Sequence, residues 1–399
     1  MPEGCLRANG RVLAIGTPRE VADRPLAAGA TVTAFPDSVL IPGLVNAHTH
    51  LDLTHIGPRP FHADAGFMGW VDEIRRSRAA EPGAIRAAVT RGIELSLAGG
   101  VVAVGDIAGA PQGVPSLEPW QAIRDSALKG VSFLEFFAIG KGEERGRERT
   151  AATLDSEEIE AASGVRLGLQ PHAPNTVSAE SYAWACRRAR SQGLPLATHL
   201  AETLEEREFV GRGRGMQRDL LERLGLWDER AAAAVGHGHS PVRHLRPVLE
   251  QNRFLLAHVN DASDEDLAIL AATGQSVAYC PRASEYFGNP ARLGPHRYRE
   301  MLERGITVAL GTDSIVNLPP STVAPDSEGV SVLDEMRLLW TRDGVDPLLL
   351  LRMATIHGAR ALGLNEASFA FTVGSRLAGL VQQFVGRDGA RRHDHGIVA

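Results

Sequence analysis

Two histidines one residue apart at the end of an apolar run, Ile41-Pro42-Gly43-Leu44-Val45-Asn46-Ala47-His48-Thr49-His50, constrain this chain more than any other feature. Residues i and i+2 of a β-strand project from the same face, so both imidazoles can reach one point in space. Taken alone, such a pair is more often two solvated strand-end side chains than a metal site, and the rest of the chain has to decide. Three further apolar runs end in a residue suited to metal binding or proton transfer: Leu194-Pro195-Leu196-Ala197-Thr198-His199, Phe254-Leu255-Leu256-Ala257-His258 and Ile306-Thr307-Val308-Ala309-Leu310-Gly311-Thr312-Asp313. Chemistry-bearing residues at the C-terminal ends of several strands are what a (β/α)8 barrel produces, because its active site is assembled from those ends.

The alternation of strand and helix patterns supports that fold. Strands are predicted over 40–48, 100–106, 131–139, 165–171, 195–199, 253–258, 275–280 and 306–312, with helices such as 83–98, 179–192, 262–273 and 296–304 between them. The segments Gly10–Gly16 and Thr31–Phe35 before the barrel, and Thr372–Val381 after it, read as short antiparallel strands pairing in a small β-sandwich. The expected class is thus α/β: a TIM-like barrel over 40–365, with a small β domain assembled from 1–39 and 366–399. Insertions at 55–82 and 204–252 exceed ordinary βα loops, and loops that long are usually lids or specificity elements. For 204–252 a solvated helical excursion is the alternative.

Composition narrows the partners. A net charge of −6 over 399 residues, with no basic block, gives no electrostatic reason to expect nucleic acid or an anionic membrane. No run approaches the roughly 18 apolar residues of a membrane span, and Met1-Pro2-Glu3-Gly4-Cys5 lacks a signal pattern, so a cytoplasmic location is expected. Cys5, Cys186 and Cys280 are too few and too scattered for a disulfide framework or a thiolate zinc site. The implied partner is a small-molecule substrate, and a homodimer is a compatible assembly.

Several imidazoles and a carboxylate form a donor set that suits zinc, or alternatively ferrous iron, better than magnesium or a thiolate-selected metal. The ligands assigned are His48, His50, His199 and Asp313. Glu202, three residues beyond His199, can face the same cavity without being a ligand, and is assigned as general acid; a carboxylate at a helix N-terminus is its structural alternative. His237 and His239 repeat the His-x-His pattern among glycines, with no strand to deliver them, and read as loop residues. His393 and His395 belong to a polar tail, and His357 to a helix near its start.

Pro42–His50, Thr198-His199-Leu200-Ala201-Glu202, Gly311-Thr312-Asp313-Ser314 and Ala354-Thr355-Ile356-His357-Gly358-Ala359-Arg360-Ala361-Leu362-Gly363 together resemble the amidohydrolase superfamily, over about residues 10 to 381. His199-x-x-Glu202, Gln170-Pro171-His172-Ala173-Pro174-Asn175-Thr176-Val177-Ser178 and Cys280-Pro281-Arg282 resemble its branch that deaminates adenine, guanine and cytosine rings. Asp52, Val104-Gly105-Asp106-Ile107, the His172 loop and Ser240-Pro241-Val242-Arg243 are similar to the aminodeoxyfutalosine deaminases in particular. Two departures touch the small domain: the first strands of the usual N-terminal sandwich are not seen ahead of Gly10, and Gly379 stands where the C-terminal strand usually has Asp.

The resemblance implies roles as well as a fold. Binuclear members bridge two metals with a carboxylated lysine on a barrel strand; the run 165–171 has no lysine and Lys141 lies beyond its strand, so one divalent metal is expected. His258 would orient or deprotonate the attacking water, Asp313 would share the proton, and His172 and Arg282 would contact substrate, with Glu285 another rim candidate. The reaction implied is replacement of a purine's exocyclic amine by oxygen, with aminodeoxyfutalosine of menaquinone biosynthesis the first substrate candidate. Methylthioadenosine or S-adenosylhomocysteine and guanine are the runners-up, and hydrolysis of a chlorinated triazine or a cyclic amide is the alternative class. A substrate ending in a benzoate calls for an arginine fork, for which Arg207, Arg212, Arg214 and Arg243 of the long insertion are the candidates.

Overall fold

The computed structural model describes residues 4–33, 38–156, 164–323, 329–378 and 380–384. Its strands, in chain order, are β1 (Gly4–Ala8), β2 (Arg11–Gly16), β3 (Ser38–Pro42), β4 (Leu44–His50), β5 (Val101–Ala108), β6 (Lys129–Phe136), β7 (Val165–Pro171), β8 (Leu196–Leu200), β9 (Phe254–His258), β10 (Ser276–Tyr279), β11 (Thr307–Leu310), β12 (Asp313–Ser314) and β13 (Leu380–Phe384). Strands β4 to β11 pair in sequence order and in parallel. Parallel strands covered on both faces read as continuous apolar runs, and β5, Val-Val-Ala-Val-Gly-Asp-Ile-Ala, is buried along its whole length.

The sheet curls into a TIM-like α/β barrel. Strand β12 continues β11 after Gly311 and Thr312 and pairs with β4 at Thr49 and His50. The step between them is tight: a Cβ on Gly311 would lie 2.9 Å from both the Cβ and the carbonyl oxygen of His48, so glycine is required where these two backbones meet. The Thr312 N–H donates to the His48 carbonyl at 3.1 Å. All eight barrel strands expected from the sequence are present, and the helices Pro82–Ala98, Ala179–Gln192, Asp264–Thr273 and Tyr298–Glu303 fall where periodicity puts them.

The first apolar run divides between two sheets. Residues 38–42 form β3, antiparallel to β13, and residues 44–50 enter the barrel. The break falls at Gly43, where a Cβ would sit 2.4 Å from a Val102 methyl. Strands β1 and β2 form a separate antiparallel pair, tied to the C-terminal segment by the Val12 N–H to Ser375 carbonyl bond (3.0 Å) and a bridge between Arg11 and Arg376.

Two expectations for these end segments need correction. Thr31–Thr33 is not a strand but an exposed stretch, with Val32 89% exposed, while residues 34 and 35 lie outside the described residues. The C-terminal strand begins at Leu380 instead of Thr372, because residues 372–375 fold into a turn closed by the Ser375 N–H on the Thr372 carbonyl. Gly379, His393 and His395 lie outside the described residues. Among those described, no helix is long and apolar enough to cross a membrane, and Cys5, Cys186 and Cys280 are all free.

Both insertions fold into helices. Residues Gly66–Ser77 form one, and 204–252 contains Leu204–Arg212, Met216–Arg223, Glu229–Ala234 and Pro241–Leu249. The first packs Phe67 and Met68 with Leu220 of the second insertion and Phe287, so the two insertions meet above the barrel's C-terminal face.

Candidate metal centre and substrate cavity

The barrel brings the separated strand ends together. His48 and His50 sit on β4, His199 on β8, His258 at the last position of β9 and Asp313 at the start of β12. The ligand atoms of His48, His50 and His199 lie within 4.8 Å of one another, as do those of His48, His258 and Asp313. Asp313 Oδ1 is 3.5 Å from His48 Nε2 and 3.4 Å from His50 Nε2. Donors about 2.0–2.2 Å from a common zinc span a few ångströms, so this spacing fits one ion. A second observation supports the fit: His48 Nε2 is buried and makes no hydrogen bond, which is costly unless a cation takes its lone pair.

The environment keeps the imidazoles neutral. Burial, reinforced by the neighbouring rings, holds His50 and His199 well below the usual histidine range and lowers His258 to about 3. Burial alone would raise Asp313, but the His48 contact and the nearby His258 and His50 outweigh it and hold this carboxyl below its ordinary value. Neutral imidazoles beside an ionised carboxylate are the protonation states that metal binding requires. His199 Nδ1 lies 3.1 Å from the His172 carbonyl and 3.0 Å from Gln170 Nε2. A proton on Nδ1, donated to that carbonyl, leaves the Nε2 lone pair for an ion, and it requires the Gln170 amide to turn its otherwise unpartnered Oε1 toward the ring in place of Nε2.

The backbone is bent to make this geometry. Ala201, His258, Val259 and Asp313 all adopt left-handed conformations (φ 52°, 73°, 52° and 58°). Each costs of order 1–3 kcal/mol for a non-glycine residue. All but two of the described non-glycine residues in that region cluster at these strand ends, the others being Asn9 and Gln112.

Glu202 follows β8 and places Oε1 3.7 Å from His258 Nε2. Burial first, then the nearby Asp313, Glu206 and Glu205 charges, push its carboxyl well above the usual range, favouring the neutral acid. Sequence reading missed what positions it. Glu206 accepts the Ala201 N–H at 2.9 Å and the Glu202 N–H at 2.7 Å, while Asn260 and Asn289 donate to the Glu202 carbonyl at 3.1 and 3.3 Å. The only sequence cue for Glu206 is its place three residues after Thr203, whose hydroxyl caps the helix Leu204–Arg212.

A second network lies beside the ligands. Arg78 donates to Asp52 at 2.7 and 3.2 Å and to Glu135 at 3.4 Å, and Glu135 Oε1 is 4.0 Å from His172 Nε2. His172 in turn shares a 2.7 Å hydrogen bond with Thr176 and lines the cavity, where a substrate contact was expected.

That cavity, about 490 Å3, has three zones. Its floor is His50, His172, His199, Glu202, His258 and Asp313. Apolar walls follow, among them Phe67, Trp70 and Ile74 from the first insertion, Phe137 after β6, and Leu220 and Leu224 from the second. Arginines 75, 145 and 149 lie on its outer part.

Other assignments fall elsewhere. Arg282 does not line the cavity: its guanidinium is engaged by Glu335 (2.5 Å), Asp334 (3.3 Å) and the Ser331 carbonyl (3.3 Å), anchoring the helix Val332–Asp343. Glu285 pairs with Arg342. Of the insertion arginines, Arg207 is paired with Asp261, Arg214 with Glu208 and Arg243 with Glu265, and none of these nor Arg212 lines this cavity. His237 lies in a loop, its Nε2 2.9 Å from the Ala233 carbonyl, and His357 Nδ1 meets the Val308 carbonyl at 3.0 Å.

The model of the Amidohydrolase family matches residues 39–375. The chain is 30% identical to the aminodeoxyfutalosine deaminase of Deinococcus radiodurans over 91% of this chain and 82% of that one. It is 26% identical to the 5-methylthioadenosine/S-adenosylhomocysteine deaminase of Pyrococcus furiosus, over 88% and 77%. Among solved structures, Helicobacter pylori aminofutalosine deaminase in complex with methylthio-coformycin superposes with a TM-score of 0.74 at 22% identity, covering 95% of this chain and 86% of that one.

Proposed function

From a chain that belongs to the amidohydrolase family and is a hydrolase of carbon–nitrogen bonds, we propose a cytoplasmic deaminase of aminodeoxyfutalosine serving menaquinone biosynthesis. The observation that carries a deaminase reading is Glu202: a largely buried carboxyl pushed well above the usual range, 3.7 Å from His258 Nε2 and beside Asp313, over a cluster of metal-type donors.

His48, His50, His199 and Asp313 would hold one divalent cation, zinc being the best match to their chemistry. Such an ion supplies Lewis acidity and lowers the pKa of water towards neutrality. His258 and Asp313 face the position from which water attacks, and take its proton. Glu202 gives its proton to the ring nitrogen next to the amine-bearing carbon, which makes that carbon electrophilic. The same groups then return a proton to the exocyclic nitrogen, which leaves as ammonia while the ring carbon keeps oxygen. The apolar walls exclude bulk water and accept the body of the substrate.

Support for the finer substrate is the 30% identity with the Deinococcus radiodurans protein and a cavity whose outer part carries arginines. Methylthioadenosine or S-adenosylhomocysteine is the second reading, favoured by the likeness to the Pyrococcus furiosus protein. Ammonia release across a panel of nucleosides separates them. The expected result is a kcat/KM for aminodeoxyfutalosine at least tenfold above that for adenosine and methylthioadenosine, about the 1.4 kcal/mol one good charge-assisted contact supplies. A higher value for adenosine or guanine rejects the substrate but not the chemistry; no ammonia from any purine rejects both.

A further inference from the structure

His296 does not line the substrate cavity, yet it grips one of the residues that does. It lies in the segment leading into the helix Tyr298–Glu303 and is buried. Its Nε2 is 2.8 Å from the His258 carbonyl oxygen. A carbonyl only accepts, so the ring carries a proton on Nε2 and donates it there. The same ring stacks on Tyr279, with 3.7 Å between centroids and 17° between planes.

This hydrogen bond falls where the sheet lets go of its strand. The register between β9 and β10 runs from Leu255 opposite Ser276 to Ala257 opposite Ala278, and stops one residue short of His258. There the backbone turns left-handed at two successive residues, His258 (φ 73°) and Val259 (φ 52°), a conformation that a β-branched valine adopts only under constraint. At this bend the His258 carbonyl finds its donor in the His296 imidazole, not in the next strand. Arg297, the next residue, donates to the Ala262 carbonyl at 3.2 Å, so the pair holds both ends of the segment 258–262.

Stacking alone does not call for histidine at this position. His296 Nδ1 is buried and makes no hydrogen bond among the described residues, a cost that phenylalanine would avoid while keeping the stack. What histidine adds is the N–H. We propose that His296 is a positioning residue for the deamination: by holding the His258 carbonyl it fixes the left-handed bend, and so aims the His258 imidazole past Glu202 Oε1, 3.7 Å away, at the position from which water attacks. The inference rests on the deaminase reading above, and it assigns a task to a residue that touches neither substrate nor the metal-type donors' ligand atoms.

Substitutions at one position separate the donor from the stack. His296→Phe keeps a ring and loses the N–H, His296→Met is a second donor-free variant, and His296→Gln offers an amide N–H near the Nε2 position without the ring. With the best purine of the nucleoside panel, the donor-free variants should lower kcat about 10–100-fold, the scale of an ångström-sized misplacement. KM and bound metal should stay at wild-type values, and His296→Gln should recover most of the loss. Added to His258→Ala, His296→Phe should lower kcat no further, because a residue that acts through His258 then has nothing to act on. Wild-type kcat in the donor-free variants, failure of both to fold, no recovery with glutamine, or a further loss in the double variant overturns the proposal. Amide hydrogen exchange of the peptide 254–262 provides an arm independent of turnover: it should quicken in His296→Phe and return to the wild-type rate in His296→Gln. Unchanged exchange in His296→Phe refutes the role of His296. The expected exchange pattern without ammonia from any purine rejects the deaminase reading and still supports His296 as the residue that holds the bend.

Discussion

Asn46 and Thr312 are joined by two reciprocal hydrogen bonds across the seam of the barrel: Asn46 Nδ2 donates to Thr312 Oγ1 at 2.8 Å, and the Thr312 N–H donates to Asn46 Oδ1 at 3.0 Å. Both residues are fully buried. One lies two positions before His48 and the other directly before Asp313, so this pair fixes the separation of two of the metal-type donors from opposite ends of the barrel sequence. Asn46→Ala removes the side-chain partners of a buried N–H and a buried hydroxyl. The expected cost is about 1–3 kcal/mol of unfolding free energy, read by denaturant titration, together with weaker metal retention on dialysis. Wild-type metal retention at reduced stability would show that the seam supports the fold without setting the site.

Metal content tests the ligand set directly. Protein purified without chelator should hold close to one divalent ion per chain by elemental analysis. His199→Ala should lose most of it, because the remaining donors no longer surround the ion. His237→Ala should retain it, since that imidazole lies in a distant loop against the Ala233 carbonyl. Two firmly held ions, or equal losses in the two variants, would overturn the assignment.

For the proton donor, Glu202→Gln keeps size and hydrogen-bonding capacity but has no acidic proton. Its kcat should drop by about 10²–10⁴-fold, the range of general acid–base catalysis, with metal content and fold unchanged. Near-normal turnover would return Glu202 to the role of a loop carboxylate, and would favour hydrolysis that needs no ring protonation.

What the sequence shows of this site follows from the range of the interactions involved. His48, His50, His199, His258 and Asp313 were legible because each ends an apolar run, and the parallel barrel brings such ends together whatever the loops do. Gly43 dividing one apolar run between two sheets was not, because the steric reason is a Val102 methyl almost 60 residues away. The same holds for Arg282, which looked like a rim cation until Glu335 and Asp334 were folded against it. Arg145 and Arg149 escaped notice because a highly charged helix gives a weak apolar stripe, so its cavity face is visible only in three dimensions.

Arg78 provides a sharper stability test. It is largely buried beside the buried Asp52 and Glu135, and burial, which would lower its pKa, is outweighed by the charges of those two carboxylates. Arg78→Leu leaves two carboxylates buried without a counter-charge, so the expected destabilisation is about 3–5 kcal/mol. Adding Asp52→Asn should recover part of that loss, whereas additive losses in the double variant would show that the pair is not energetically coupled.

The last prediction concerns pH. Burial raises Glu206 to about 7, against the opposing effect of the Glu202 and Ala201 N–H groups it accepts. A folded-state pKa above the unfolded one means that the native state binds the proton more tightly. This group's contribution to stability is therefore fully present below its unfolded pKa of about 4.3, and is lost as pH rises through about 7. Total stability does not isolate the effect, because buried histidines such as His244 and His296, both lowered to about 4, give the opposite slope at mildly acidic pH. The difference between wild type and Glu206→Gln does. The variant should be less stable at every pH, since one amide oxygen cannot replace two carboxylate oxygens facing two N–H donors. Its deficit should also shrink between pH 5 and pH 8, as wild type loses the Glu206 contribution and the variant has none to lose. A deficit that is constant across this range would place the Glu206 titration at its ordinary value, and would locate its role in hydrogen bonding alone.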